Sequence, residues 1–192
     1  MKRKYLLGIL IVLFVVNSSF AEEAKRTSLK GVEFLTGFIQ SKLRVKGNYR
    51  LIPIIVDFDF DLKPLLQKIK FDTRSLLQFQ LEPYIAPVCQ PDANVELGNS
   101  FALKIGLLPD TSKFQPYLKA GLGMAYMTQH TREQGTQFNF TEFGGVGMHY
   151  FFKKNVALTV EYRFRHLSNC GIDDPNSGIN SHFALMGVTY QF

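Results

Sequence analysis

The sequence has few of the features that mark metalloenzymes or nucleic-acid-binding proteins. It contains two cysteines and four histidines in 192 residues, and His130, His149 and His182 show no metal-ligand spacing. It has no nucleotide-binding loop, zinc motif or internal repeat. Its formal net charge of +6 is not gathered into a basic cluster with interleaved aromatics. We therefore expect no metal, no other cofactor and no nucleic-acid partner.

No apolar run after residue 21 is long enough for a transmembrane helix, which needs roughly 20 apolar residues. The one apolar run, 5–16, follows the basic residues 2–4 and precedes the small residues around Ala21. This order is typical of a secretory signal peptide. We expect residues 1–21 to be removed, leaving 22–192 as one domain. The alternative, a membrane anchor, is less favoured because the run is short.

Period-two alternation of apolar with polar or glycine residues predicts β-strands along the chain. Seven such segments are 32–38, 54–61, 77–82, 95–107, 118–126, 155–168 and 180–192. In an eighth segment, 138–152, glycines blur the alternation, so its two faces are not assigned. Eight antiparallel strands form the smallest common membrane barrel, whose interior is filled by side chains. The predicted fold class is therefore all-β, an eight-stranded antiparallel transmembrane β-barrel.

The polar positions of these strands predict a charged barrel interior. The inward set is Glu33, Asp57, Glu82, Lys104, Lys119, Glu161 and Arg163. Buried opposite charges usually pair for structural reasons, so we expect a paired polar core rather than catalytic groups. A soluble lipid-binding barrel, with its apolar face inward, is the alternative reading of the same alternation.

The end of the chain favours the membrane reading. Phe192 is preceded at intervals of two by Tyr190, Val188, Met186 and Ala184, which resembles the closing strand of bacterial outer-membrane barrels. Aromatic residues near strand ends suit the interfacial girdles of a membrane barrel. They are Tyr49, Tyr84, Tyr117, Tyr126, Tyr150, Phe151 and Phe152. We expect the protein to lie in the outer membrane, where these aromatics meet lipid or the second protomer of a homodimer.

A histidine and a serine lie two residues apart at the end of the seventh predicted strand. His166 and Ser168 share one face, because residues i and i+2 of a strand point the same way. That face also carries Tyr162 and Phe164 and is the one toward lipid, while Asn180 has the outward parity on the last strand. A serine beside a base is the minimum for an activated nucleophile. A lipid substrate follows, unless the strand has left the membrane and these residues are solvated loop.

The motifs around these residues resemble the PagL-type lipid A 3-O-deacylase family. The matching stretches are His166-Leu167-Ser168-Asn169, Pro175-Asn176-Ser177-Gly178-Ile179-Asn180, Gly187 to Phe192, Leu81-Glu82-Pro83 and Pro116 to Gly123. The resemblance implies an outer-membrane barrel that hydrolyses the ester-linked acyl chain at position 3 of lipid A. Its partner would be lipid A, or lipopolysaccharide, in the outer leaflet.

The resemblance also implies roles for individual residues. Ser168 would be the nucleophile and His166 the general base, while Asn169 and Asn176 would supply oxyanion donors. Gly178 would permit the turn that brings Asn176 back over the serine.

One position departs from the family pattern. The best-known members carry a glutamate twelve residues after the serine, where this chain has Asn180. An asparagine can orient a histidine but cannot stabilise imidazolium by charge. Activity would then be lower, or Asp173 or Asp174 would contribute instead. Both acids are more often solvated loop residues, so the role of the glutamate is not assigned to them.

Two further questions stay open at the level of sequence. A non-catalytic barrel that keeps the motif as a structural rim is the second functional hypothesis, and Asn180 makes it credible. Cys89 and Cys170 both fall in or near predicted extracellular loops, in an oxidising setting. They form either one disulfide or two free thiols.

Overall fold

A computed structural model of the chain describes residues 29–68, 70 and 73–192. The predicted signal peptide, residues 1–21, lies outside the described residues, so its cleavage stays a prediction. The described part is built almost entirely of long antiparallel strands. No helix within it is long and apolar enough to cross a membrane.

The described residues form nine β-strands and one short helix. In chain order the elements are β1 (Leu29–Leu43), β2 (Gly47–Leu51), β3 (Ile54–Asp61), α1 (Lys63–Gln67), β4 (Ser75–Gln90), β5 (Asn94–Pro109), β6 (Phe114–Met127), β7 (Phe138–Lys153), β8 (Val156–Ser168) and β9 (Ile179–Gln191).

The strands close into a ring in which the last strand pairs with the first. Strands β2 and β3 lie end to end between β1 and β4, since each of them pairs with both neighbours. Pro53 falls in the gap between them, where a residue without an N–H group does not weaken the ladder. The nine strands therefore occupy eight positions, which confirms the predicted barrel.

Several strands run further than the alternation indicated. The segment predicted as 77–82 is β4, which extends from Ser75 to Gln90. Beyond Glu82 the inward side chains include Ala86 and Val88, which are apolar and buried. Alternation ends there because both faces of the strand are apolar, although the backbone pairing with β5 continues.

The interior has two layers. All seven charged residues predicted to point inward are buried. Lys119 Nζ lies 3.1 Å from Asp57 Oδ2 and 3.5 Å from Glu161 Oε2, and Arg163 Nη1 lies 2.7 Å from Glu82 Oε2. Towards the β1–β2 and β8–β9 connections this charged layer gives way to an apolar cluster. Its members are Leu35, Ile39, Leu43, Tyr49, Leu51, Ile55, Ala86, Val88, Ala125, Met127, Leu167, Ile179, Phe183 and Leu185.

The prediction that Tyr49, Tyr84 and Tyr117 belong to an interfacial girdle is wrong. Tyr49 and Tyr117 are 0% and 1% exposed, and all three hydroxyls donate to inward carboxylates. The acceptors are Glu96 for Tyr49 and Tyr84, and Glu161 for Tyr117. The cause is strand parity, because each tyrosine lies two residues from an inward-pointing position. Tyr126, Tyr150 and Phe152 do face outward.

The outer face is apolar along most of its height. Phe38 and Leu122, for example, are 68% and 65% exposed. Such a wide apolar surface is what a barrel needs in order to sit in lipid. At one end lie the two-residue turn after β7 and the helix α1, which contains Pro64 in its first turn. The candidate site lies at the opposite end.

Candidate active site

His166 and Asn180 face each other across the β8–β9 ladder. They are register partners, and both have outward parity, so their side chains meet on the outside of the barrel. His166 Nδ1 lies 2.7 Å from Asn180 Oδ1. With the amide oxygen as acceptor, the imidazole carries its proton on Nδ1, which leaves Nε2 free to accept one.

Ser168 is the last residue of β8 and continues the outward face beyond His166. Both side chains are half-buried, although Tyr162 and Phe164 on the same face are exposed. The strand therefore places a base and a hydroxyl two residues apart on one outer face, as expected from the sequence, and among the described hydrogen bonds His166 contacts Asn180 and not Ser168. We call His166, Ser168 and Asn180 the rim site.

Gly178 forms a wall of the rim site. Its φ is +73°, a conformation that glycine adopts without steric strain. A β-carbon at this position would lie only 2.9 Å from His166 Nε2. The bare backbone therefore lets the imidazole occupy the space in which any other residue would carry a side chain.

Asn169 fastens the β8–β9 loop from inside. The residue is fully buried, and its side-chain amide donates to the carbonyl oxygens of Asp173 and Pro175 at 2.7 and 3.3 Å. Its backbone N–H donates to Asn176 Oδ1 at 2.9 Å. The Asn169 amide is thus occupied within the loop, while Asn176 is exposed and uses its oxygen, not its amide nitrogen, in this contact.

A groove opens on the β7 side of the rim site. Its volume is about 240 Å³. The groove runs over the outer face of β6, β7 and β8, and it is lined by Leu122, Gly123, Phe140, Thr141, Glu142, His166, Ser168 and Cys170. We call it the rim groove. The walls of the rim groove include the apolar side chains of Leu122 and Phe140, and His166 and Ser168 lie along it. The groove therefore has room for an apolar chain beside the serine hydroxyl.

Glu142 is the member of this region that sequence reasoning missed. It is the register partner of His166 on β7 and is exposed on the outer face. The glycines of β7 hid the period-two pattern, so this strand had no assigned faces. A signal was nevertheless present, because Glu142 has the parity of Phe138, Phe140 and Val146, which face outward with it.

The remaining candidate residues are not members of the rim site, although Cys170 lines the rim groove. Cys89 and Cys170 are both free thiols. Asp173 and Asp174 are exposed in the loop. His182 lies on the outer face, with Nδ1 2.7 Å from the Tyr162 hydroxyl oxygen. Across the described residues, no three His, Cys, Asp or Glu side chains gather into a metal-binding group.

Known proteins resemble this chain both in sequence family and in fold. Residues 64–189 match the family model described as "Lipid A 3-O-deacylase (PagL)". The crystal structure of the outer membrane enzyme PagL is 18% identical with a TM-score of 0.60, over 83% of this chain and 97% of that one. Neisserial surface protein A is 16% identical with a TM-score of 0.57, over 85% and 97%.

A third structure, the N-terminal β-barrel domain of OprF from Pseudomonas aeruginosa, is 15% identical. Its TM-score is 0.51, over 84% of this chain and 97% of that domain. Identities this low establish only the fold, which is that of outer-membrane barrels. No curated protein matches the chain. The family match, however, spans more than half of the sequence and confirms the resemblance seen in its motifs. The chain therefore belongs to the lipid A 3-O-deacylase (PagL) family.

Proposed function

We propose that this protein is an outer-membrane serine esterase that hydrolyses the 3-O-linked acyl chain of lipid A. The observation that carries the proposal is the contact of His166 with Asn180 beside Ser168, on the outer face of a barrel of this family. Polar groups on a surface that faces lipid are energetically unfavourable, so a cluster of them there supports a functional role. Lipid A itself is a component of the outer leaflet, so its ester can reach the rim site laterally.

The geometry supports a two-step acyl transfer. His166 Nε2 takes the hydroxyl proton of Ser168 while Oγ bonds to the ester carbonyl carbon. The bond from that carbon to the sugar oxygen then breaks, and the imidazolium returns the proton to the sugar oxygen. In the second step a water molecule gives a proton to Nε2 while its oxygen bonds to the acyl carbon. The bond from that carbon to Ser168 Oγ then breaks, and the imidazolium returns the proton to Oγ, which frees the fatty acid and restores the Ser168 hydroxyl.

The developing oxyanion needs hydrogen-bond donors near the serine. Asn176 remains the proposed donor, because its amide nitrogen is not used in the contact with Asn169. Asn169 is proposed to act indirectly, by positioning Asn176. Its backbone N–H donates to Asn176 Oδ1 at 2.9 Å. Loss of one oxyanion donor typically lowers turnover by about 10²–10³-fold.

The direct test is mass spectrometry of lipid A after incubation with the refolded protein in detergent. We expect loss of one 3-hydroxyacyl chain with the unmutated protein and no loss with Ser168→Ala or His166→Ala. Ser177→Ala is a matched control, since this exposed serine lies in the same loop and should keep full activity. Heat-modifiable migration on a gel verifies that every variant is folded.

A non-catalytic barrel remains the second candidate function. It is favoured by Asn180, which stands where the family pattern has a charged residue. A folded, unmutated protein that leaves lipid A unchanged would support it. Full activity in either the Ser168 or the His166 variant would instead show that another residue is the nucleophile or the base.

A further inference from the structure

The described strands carry acidic residues almost only inside the barrel. Seven have inward parity, namely Glu33, Asp57, Asp59, Asp61, Glu82, Glu96 and Glu161. Glu142 alone points outward from its strand. A carboxylate on an apolar outer surface is unfavourable, to a degree that depends on its depth in the membrane, so an outward glutamate beside the rim site is a candidate for a role in the chemistry.

The position of Glu142 relates it directly to His166. The two residues are register partners on the outer face of β7 and β8. Direct partners in an antiparallel pair have Cβ atoms about 4.5–5.5 Å apart. Asn180 occupies the equivalent position on the other side, in β9. His166 thus lies between an amide that contacts Nδ1 and a carboxylate that lines the rim groove with it.

The neighbours of Glu142 leave its carboxylate without a counter-charge. Its cross-strand neighbour on β6 is Leu122, and Phe140 lies two residues away on the same face, so both of these neighbours are apolar. No described lysine, arginine or histidine nitrogen comes within 4.0 Å of its carboxylate. The charge of Glu142 is therefore not neutralised by another described side chain.

The carboxylate also has room to move. Gly144 follows two residues later on the same face, and a β-carbon there would meet no heavy atom within 4 Å. The outer face is therefore open on the Gly144 side of Glu142. His166 is the nearest group by register that becomes positively charged during the proposed reaction.

From these observations, and resting on the proposed esterase function, we infer that Glu142 is a positioning residue of the rim site. Its carboxylate turns towards His166 when the imidazole takes the Ser168 proton, and it supplies the negative charge that Asn180 lacks. Asn180 fixes the tautomer through Nδ1, and Glu142 stabilises the imidazolium. The two tasks are divided between β9, which carries Asn180, and β7, which carries Glu142.

The test is a double-mutant cycle between positions 142 and 180. We expect Glu142→Gln to lower kcat for lipid A about 10- to 100-fold, the range for a charge-assisted hydrogen bond, with KM unchanged. In an Asn180→Glu background the same substitution should change kcat by less than about threefold, since a second carboxylate is then present. Asp174→Asn is the matched control, because it removes an exposed loop carboxylate and should leave kcat unchanged.

Three outcomes of the cycle would overturn the inference. The first is an unchanged kcat for Glu142→Gln in the otherwise unmutated protein. An equal loss of kcat in both backgrounds would show that Glu142 does not act through the charge on His166. A higher KM with unchanged kcat would assign Glu142 to substrate binding instead. Every variant must first show heat-modifiable migration, so that a folding defect is not read as a kinetic one.

A second readout separates this inference from the choice of substrate. A lipid-tailed fluorophosphonate labels an activated serine without any need for lipid A. Suppose that lipid A stays intact, but Glu142→Gln slows the labelling of Ser168 in the unmutated background and not in the Asn180→Glu background. Glu142 then has the inferred role and the proposed substrate is wrong. If lipid A is hydrolysed but Glu142→Gln changes neither the labelling rate nor kcat, the inference about Glu142 is wrong and the proposed esterase function stands. A folded protein that shows neither reaction contradicts both.

Discussion

At the scale of single residues, the rim site depends on backbone that carries no side chain. His166 Nε2, the proposed base, lies against Gly178, whose φ of +73° belongs to the left-handed region. Gly171 has a similar φ of +78°, but a β-carbon there would meet nothing within 4 Å. The two glycines therefore share a conformation but differ in their contact with the imidazole.

This pair gives a prediction at the residue scale. Gly178→Ala should lower kcat for lipid A about 10²-fold, because a displacement of about 1 Å at a reacting group has an effect of that size. Gly171→Ala introduces the same backbone strain and should keep near-normal kcat. Steady-state kinetics of the two folded variants provide the comparison. Equal activity would mean that Gly178 serves the turn only and not the imidazole.

At the scale of elements, the loop after β8 is held by the loop between β6 and β7. The Gly135 N–H donates to the Pro175 carbonyl at 2.7 Å, and the Ser177 N–H donates to the Glu133 carbonyl at 2.8 Å. Gln134 and Asn176 form an isolated β-bridge between the same loops. The proposed oxyanion donor is thus positioned by a segment about 40 residues earlier in the chain.

Gly135→Val tests whether this contact between loops matters. A β-carbon at Gly135 would lie 2.8 Å from the Asp174 carbonyl carbon, so the loops must separate. We expect kcat to fall at least about tenfold as Asn176 loses its place, together with faster trypsin cleavage after the exposed Arg132. Faster cleavage with unchanged kcat would show that the oxyanion donors lie elsewhere.

Strands β7, β8 and β9 differ in how much of the candidate site their sequence pattern predicts. Alternation located His166 and Asn180 on facing outward positions because β8 and β9 keep a strict period of two. It missed Glu142, because glycines replace the apolar members of the pattern in β7. The contact between the two loops has no sequence signal, since it joins irregular segments whose approach depends on the closed ring. The inward tyrosines were misassigned because aromatic residues suit either face.

At the scale of the whole molecule, the interior of the barrel is filled by a layer of buried ion pairs and an apolar cluster. Lys119 lies at the centre of the charged layer. Its Nζ contacts Asp57 and Glu161 at 3.1 and 3.5 Å and also forms an ion pair with Glu82. The rim site lies outside this layer, on strands that the layer supports, so stability and chemistry can be perturbed separately.

The substitution Lys119→Met tests whether the stability of the barrel can be changed without changing catalysis at the rim site. Removing the ammonium leaves three buried carboxylates without it, and breaking a buried ion pair in this way costs about 3–5 kcal/mol of unfolding free energy. We expect a large drop in the urea midpoint, read from heat-modifiable migration in detergent. Below that transition, kcat on lipid A should stay within about twofold, since a folded variant keeps the rim site intact.

Lys30→Met, at an exposed position of β1, is the control and should alter neither the urea midpoint nor kcat. An unchanged midpoint for Lys119→Met would mean that the remaining carboxylates share protons or water in place of the ammonium, and that the charged layer specifies the barrel without stabilising it.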